Sequence, residues 1–208
     1  MATQNLDYIT GFDAIVVNTF GSVKVKQSDN FSVTVTADDN IMSYIQITKS
    51  NQALIVDIDD EYNYKNCRYN VFVEMPEIEH LTANSAGSIS TEGNITGETI
   101  RLYANSAGSI TINLETEKLY CTISSAGSIT ASGTSNYLYA NLESAGNLHA
   151  FNLETNRTQV NVSSAGSAYV FVNDYLEANI SSVGSVYYKG HPQLSYRISS
   201  IGSLIDSN

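Results

Sequence analysis

The chain of 208 residues has no tryptophan, two prolines, two cysteines and three histidines, and only 10 basic side chains against 21 acidic ones. Each scarcity closes a door. A formal charge of −11 repels phosphate backbones and anionic membranes, so no nucleic acid partner is expected. Cys67 and Cys121 do not make a disulfide framework. No stretch approaches the ~20 apolar residues that span a bilayer, which speaks against membrane insertion. The opening Met1-Ala2-Thr3-Gln4-Asn5 lacks the basic and apolar regions of a secretion signal, so the protein is either cytoplasmic or exported by a signal removed from this sequence. Helical periodicity is missing as well, whereas 14 tyrosines and many β-branched residues mark an all-β chain.

What the chain has is a phrase. Ser85-Ala86-Gly87-Ser88 returns at Ser106, Ser125, Ser144, Ser164, Ser182 and Ser200 with small variations, and the glycines step by 21, 19, 19, 20, 18 and 18 residues. Counted from the first serine, the same offset carries the same residue type. Four before it stand Leu81, Leu102, Cys121, Ala140, Val160, Ala178 and Tyr196; four after it stand Ile89, Ile110, Ile129, Leu148, Ala168, Val186 and Leu204. Polar positions such as Thr122, Asn141 and Asn161 alternate with them, so each strand has one wet and one dry face. A period of ~19 residues is too short for a propeller blade of ~40 and fits one turn of a stacked solenoid. We expect a right-handed parallel β-helix whose coils lie ~4.8 Å apart.

The phrase itself reads as the bend between strands. The glycine is expected to take a positive φ there, the serines to bond backbone groups at the corner, and Gly127→Ala to cost more than Gly133→Ala. Thr19-Phe20-Gly21-Ser22 carries the same offsets, with Ile15 and Val17 before it and Val23 and Val25 after, and reads as an eighth, degenerate copy. Residues 1–10 read as a flexible tail, 11–208 as one β-helix domain, with irregular first coils over 11–80 and seven regular coils over 81–205. Within the irregular part, the strands around Tyr44–Ile47 and Leu54–Ile58 are expected to form a hairpin.

Chemistry is sparse. A serine nucleophile needs a base within reach, and His80, His149 and His191 sit at unrelated offsets, so no catalytic residues are assigned. Asp57, Asp59, Asp60 and Glu61 form the one dense acidic group; calcium is the sharper reading and a solvated loop the plainer one, since the glycine and terminal glutamate of a calcium loop are missing. No metal or other cofactor is assigned. Tyr62, Tyr64 and Tyr69 cluster beside it. Glu115, Glu117, Glu154 and Asp174 fall in turns opposite the glycine bend, with no gathering on one face expected. Cys121 falls in an inward column and reads as a buried thiol. His149, Tyr169 and Tyr187 recur five after the first serine in consecutive coils; their rings are expected to stack as a ladder, which stabilises or binds a sugar or protein. The last phrase, at Ser200, leaves its strand edge and apolar column uncovered, which predicts a homo-oligomer through the C-terminal coil.

An Ile-rich alternating opening, the strand ending Val71-Phe72-Val73-Glu74-Met75-Pro76, and Leu81 leading into Ser-Ala-Gly-Ser-Ile coils together resemble a known family. This is the "putative auto-transporter adhesin, head-GIN domain" family of envelope proteins in Bacteroides-like bacteria, and the likeness runs from about Gly11 to Leu204. It implies a right-handed β-helix, secreted or surface-attached, with an adhesin role and no catalytic residues. The expected function is non-catalytic binding of a surface, glycan or protein partner. A carbohydrate-active β-helix (lyase or hydrolase) and a purely structural envelope protein are the alternatives.

Overall fold

The computed structural model describes residues 1–59 and 67–208. In chain order the strands are β1 (Ala2–Asn5), β2 (Ala14–Val17), β3 (Gly21–Gln27), β4 (Ser32–Ala37), β5 (Ile45–Ser50), β6 (Ala53–Ile58), β7 (Tyr69–Met75), β8 (His80–Ala83) and β9 (Gly87–Glu92). Then come β10 (Ile95–Ala104), β11 (Ser109–Ile123), β12 (Ser128–Leu142), β13 (Asn147–Val162), β14 (Ser167–Ile180), β15 (Ser185–Lys189), β16 (Gln193–Ile198) and β17 (Ser203–Asp206). Alternation dictates which face each residue takes: in β11, Ile110, Ile112 and Leu114 are buried while Thr111, Asn113 and Glu115 are exposed.

From β10 to β14 each long strand pairs in parallel with the next, so that like offsets stack. Ile100, Leu119 and Leu138 form one inward column, and Leu102, Cys121, Ala140, Val160 and Ala178 another. All are removed from water, and at ~25 cal/mol per Å² of apolar surface this continuous interior is the main stabilising term. Cys121 lies between Leu102 and Ala140, where burial pushes its thiol far above the ordinary range. The 20-residue step from Gly146 to Gly166 is absorbed by an irregularity in β13: Thr130 pairs with His149 but Ser132 with Asn152. One extra residue is thereby pushed out of the ladder, and Phe151 becomes half-exposed.

The first half obeys the same stacking rule in a different order. β2 pairs with β8 and β3 with β9, which sets Gly21 beside Gly87 and makes Thr19-Phe20-Gly21-Ser22 the eighth corner. β6 and β7 pair with the opposite edges of β2 and β3. Residues 53–58 and 69–75 therefore form the rung beneath residues 14–27, although they come later in the chain. Ion pairs tie the middle rung to both neighbours, Lys24 Nζ to Glu92 at 2.7 Å and Lys26 Nζ to Glu74 at 3.0 Å. Antiparallel strands close this end: β5 on β6 as the expected hairpin, β4 on β7, and β1 on β4. Residues 1–10, expected as a loose tail, instead supply β1 and bury Leu6 and Ile9. Tyr69 lies across Gly21, where a Cβ would come within 2.2 Å of its ring. Its hydroxyl is buried without a partner among the described residues, and burial, then the charge of Asp57, raises its pKa.

The other end is open. β16 is flanked by β14 on one side and β17 by β15, and all six residues of β16 are exposed. Tyr196 is 61% and Ile201 75% accessible.

The Ser-Ala-Gly corner differs from the expectation in a way the contacts explain. The positive φ belongs to the serines, from 48° at Ser85 to 72° at Ser200, and in the first three copies also to Ala86, Ala107 and Ala126. The glycine N–H closes the turn onto the carbonyl three residues back, as in Gly108 to Asn105 at 2.8 Å and Gly127 to Ser124 at 2.9 Å. Two consecutive positive φ values give the type I′ pattern, and one gives II′. The switch explains why bulky Val183 and Ile201 are accepted in the later coils: their φ is negative. It also reverses the bonding between corners. Ala86 N–H donates to Ser106 O of the coil above, whereas Val183 N–H donates to Ser164 O of the coil below. Glycine is required for a separate reason, close approach: a Cβ on Gly127 would lie 2.2 Å from Ala104 O. The bonding side chains at the corner are those just before the phrase. Asn84 Nδ2 donates to Asn18 Oδ1 and Asn105 Nδ2 to Asn84 Oδ1, both at 3.1 Å, and Ser124 Oγ to Asn105 Oδ1 at 2.7 Å.

Candidate functional site

Three surfaces run along the stack. The first is the ridge of His149, Tyr169 and Tyr187, held in one column because His149 pairs with Tyr169 and Tyr169 with Tyr187 in the parallel ladder. The rings stack nearly parallel, with centroids 5.2 Å apart at 12° and 4.6 Å apart at 7°. Their faces are spent on one another, so the ridge presents ring edges and phenolic hydroxyls outward. Phe151, delivered by the β13 irregularity, meets Tyr169 edge-on at 5.4 Å, and Lys189 Nζ lies 4.8 Å above the Phe151 ring. Offset counting could not have found Phe151, because it exists at this place only through an extra residue.

The second surface lies on the strands that lead into the corners. Tyr120 pairs with Tyr139, and Tyr137 with Lys118 below and Arg157 above. The Tyr120 ring is 6.0 Å from Tyr139 and 6.4 Å from Tyr137, with the Arg101 guanidinium 5.3 Å from its centroid. Tyr137 Oη donates to Gln159 Oε1 at 3.0 Å, and Tyr139 Oη accepts from Asn161 Nδ2 at 3.1 Å. This cluster was legible in principle, since Arg101, Tyr120 and Tyr139 share one offset, five before the first serine.

The third surface is a groove along the wide corner opposite the Ser-Ala-Gly turns, about 670 Å³ in volume. Stacking places Thr96, Glu115, Thr134 and Glu154 in one wall. The other wall is a bonded series: Asn156 Nδ2 donates to Asn136 Oδ1 at 2.9 Å and Asn136 Nδ2 to Glu117 Oε2 at 3.3 Å. Between the walls Thr116 and Ser135 turn inward and are buried, donating to Glu98 O at 3.1 Å and Tyr137 O at 3.0 Å. Glu115, Glu117 and Glu154 are thus collected on one face, contrary to the sequence expectation, because coils of unequal length still bring their wide corners into one line. A second hollow of about 540 Å³, which shares Thr96 and Gly97 with the first, extends it past Glu98 to Glu77 and Glu79, with Arg101 at its edge.

The remaining candidates are placed as follows. Asp57 accepts from Asn18 Nδ2 at 3.4 Å and from its neighbour Ile58 N–H at 2.8 Å. Asp60, Glu61, Tyr62 and Tyr64 lie outside the described residues. Among the described residues no three His, Cys, Asp or Glu side chains converge as metal ligands. His80 stacks against Tyr103 at 6.4 Å. No helix among the described residues is long and apolar enough to cross a membrane.

Comparison with known proteins supports the same architecture. A crystal structure described as a putative adhesin from Bacteroides fragilis NCTC 9343 superposes with a TM-score of 0.90 at 22% identity, covering 99% of this chain and 96% of that one. One from Parabacteroides distasonis ATCC 8503, also described as a putative adhesin, gives 0.79 at 22% identity over 99% and 96% of the two chains. Another from that organism, described as a putative lipid binding protein, gives 0.80 at 21% over 100% and 96%. At these identities the likeness carries the fold alone. No curated protein matches the chain. The model of one family matches residues 11–192, and by that match this chain belongs to the "putative auto-transporter adhesin, head GIN domain" family.

Proposed function

We propose that the protein is a non-catalytic, adhesin-like β-helix of the cell envelope or outer surface that binds a glycan or protein partner through the ridge of His149, Tyr169 and Tyr187. The observation that carries this reading is the ring stack itself. Three aromatic side chains are immobilised on a rigid frame with their polar edges outward, so little side-chain entropy remains to be lost on binding. Family membership supports the adhesin-like role. The test is binding to an array of surface glycans and to whole cells. Tyr169→Ala combined with Tyr187→Ala is expected to abolish capture while the variant remains folded; undiminished capture refutes the ridge as the site.

A carbohydrate-active enzyme is the second reading, favoured by the gathering of Glu115, Glu117 and Glu154 in one groove. Against it, all three carboxylates are exposed, whereas a glycosidase needs one held protonated by a desolvating environment. Release of shortened sugars from a polysaccharide panel would establish the enzyme.

The open C-terminal rung supports a second contact, with another copy of the chain. Its apolar residues Leu194, Tyr196, Ile198 and Ile201 accompany free strand edges, and the opposite end is closed by antiparallel strands, which leaves like-to-like pairing of the open ends. Scattering is expected to reveal a concentration-dependent dimer that Ile201→Asp dissolves; a strictly monomeric curve at high concentration overturns this.

A further inference from the structure

We propose that the wide-corner groove is a binding site for an extended β-linked polysaccharide of neutral or amine-bearing sugars. The site is separate from the ring ridge, so either can fail without the other.

Three features carry the assignment. The first is repetition. Each wall offers one oxygen- or amide-bearing side chain per coil, and the coil rise is ~4.8 Å. A β-1,4-linked pyranose chain advances by about one such rise per sugar and turns over at each linkage, so every second sugar meets an equivalent group two coils further on. An extended peptide repeats on one face about every 6.6 Å and falls out of step within two coils.

The second is charge. Glu115, Glu117 and Glu154 line the main groove, and Glu77, Glu79 and Glu98 its extension, with Arg101 the one cation among the described lining residues. Uronate and sulfated polymers are repelled. Hydroxyl and ammonium groups are the natural donors to these carboxylates.

The third is preorganisation. The Asn156–Asn136–Glu117 series fixes one wall through its own hydrogen bonds, and the inward bonds of Thr116 and Ser135 fix the floor. Each wall amide keeps a second N–H, and Glu117 a second oxygen, for a ligand. Ordering of the site therefore costs little on binding. The described lining residues include no aromatic ring, so single-chain affinity is modest, and avidity comes from many copies on a surface.

The experiment is calorimetry and array binding of the whole chain with defined oligomers: chitosan and fully acetylated chito-oligosaccharides, polygalacturonate, and oligolysine. Binding of the two β-linked sugars is expected, with affinity rising with length and levelling at about five sugars, one per rung from Glu77 to Asn156. Glu117→Gln is expected to weaken chitosan about tenfold, the loss of one charge-assisted hydrogen bond. Asn136→Ala should weaken both sugars. Preference for polygalacturonate, no sugar binding at any length, or equal binding of oligolysine that salt abolishes would each overturn the proposal, the last by reducing the groove to an ion exchanger.

Discussion

Gly133→Ala is expected to be among the most destabilising single-methyl additions in this protein, lowering stability by on the order of 4 kcal/mol and the melting temperature by roughly 8–16 °C. Two costs coincide at this position. Gly133 has φ of +106°, outside the range that L side chains adopt, and a Cβ there would lie 2.0 Å from Leu114 O. That oxygen belongs to the backbone of the coil below, whose ladder bonds would have to break for it to move. Gly127→Ala meets the second cost alone, since its φ is not positive and its clash is with Ala104 O at 2.2 Å. Gly93→Ala meets only the first, with φ of +80° and no atom within 4 Å of the added carbon, so about 1 kcal/mol is expected. Urea unfolding of the three variants should rank them Gly133, Gly127, Gly93, the reverse of the order expected from the sequence for the first two, because the left-handed φ falls on Gly133 and not on Gly127. Equal losses at Gly133 and Gly93 would show that the coils separate freely, which contradicts a stack held in register.

Thr155→Val is expected to cost about 3 kcal/mol, whereas Thr158→Val, in contact with it, costs about 1. Both threonines are 1% exposed, and Thr155 Oγ1 lies 2.7 Å from both Thr158 Oγ1 and Phe171 O. A carbonyl cannot donate, so Thr155 must spend its one proton on Phe171 O and accept the proton of Thr158. Removing the Thr155 hydroxyl deprives both neighbours at once. Removing that of Thr158 leaves the bond to Phe171 intact. The double variant should be no worse than Thr155→Val, because the stranded Thr158 proton has also gone. Thermal melts of the three proteins check this, and equal losses from the two single variants would mean that the proton order is reversed.

The solenoid was legible because its signal is redundant: seven copies of Ser-x-Gly with apolar residues at constant offsets leave one periodic arrangement that buries them all. The ring ridge was legible for the same reason, since parallel in-register pairing turns equal offsets into neighbours. What escaped are features set by contact between coils. Nothing local in Ser125-Ala126-Gly127 reveals that the serine takes the left-handed φ while the glycine is needed for Ala104 O. The groove escaped because its walls come from coils of different length, and Phe151 because a β irregularity shifts it by one. Residues 1–10 escaped because two buried side chains, Leu6 and Ile9, outweigh a polar local sequence once β4 offers an edge.

The order in which the rungs lie has a consequence for synthesis. Residues 14–27 are sandwiched between segments that the ribosome delivers later, 53–58 and 69–75 on one side and 80–83 and 87–92 on the other. The earliest segment therefore waits, its edges unmatched, until about ninety residues have emerged, and this closure of long loops is the slow step. Beyond that point every new coil finds a finished template only ~19 residues behind it and zips on without further delay. Nascent chains halted before Glu92 should be protease-sensitive throughout, and those halted beyond it protected up to their last complete turn.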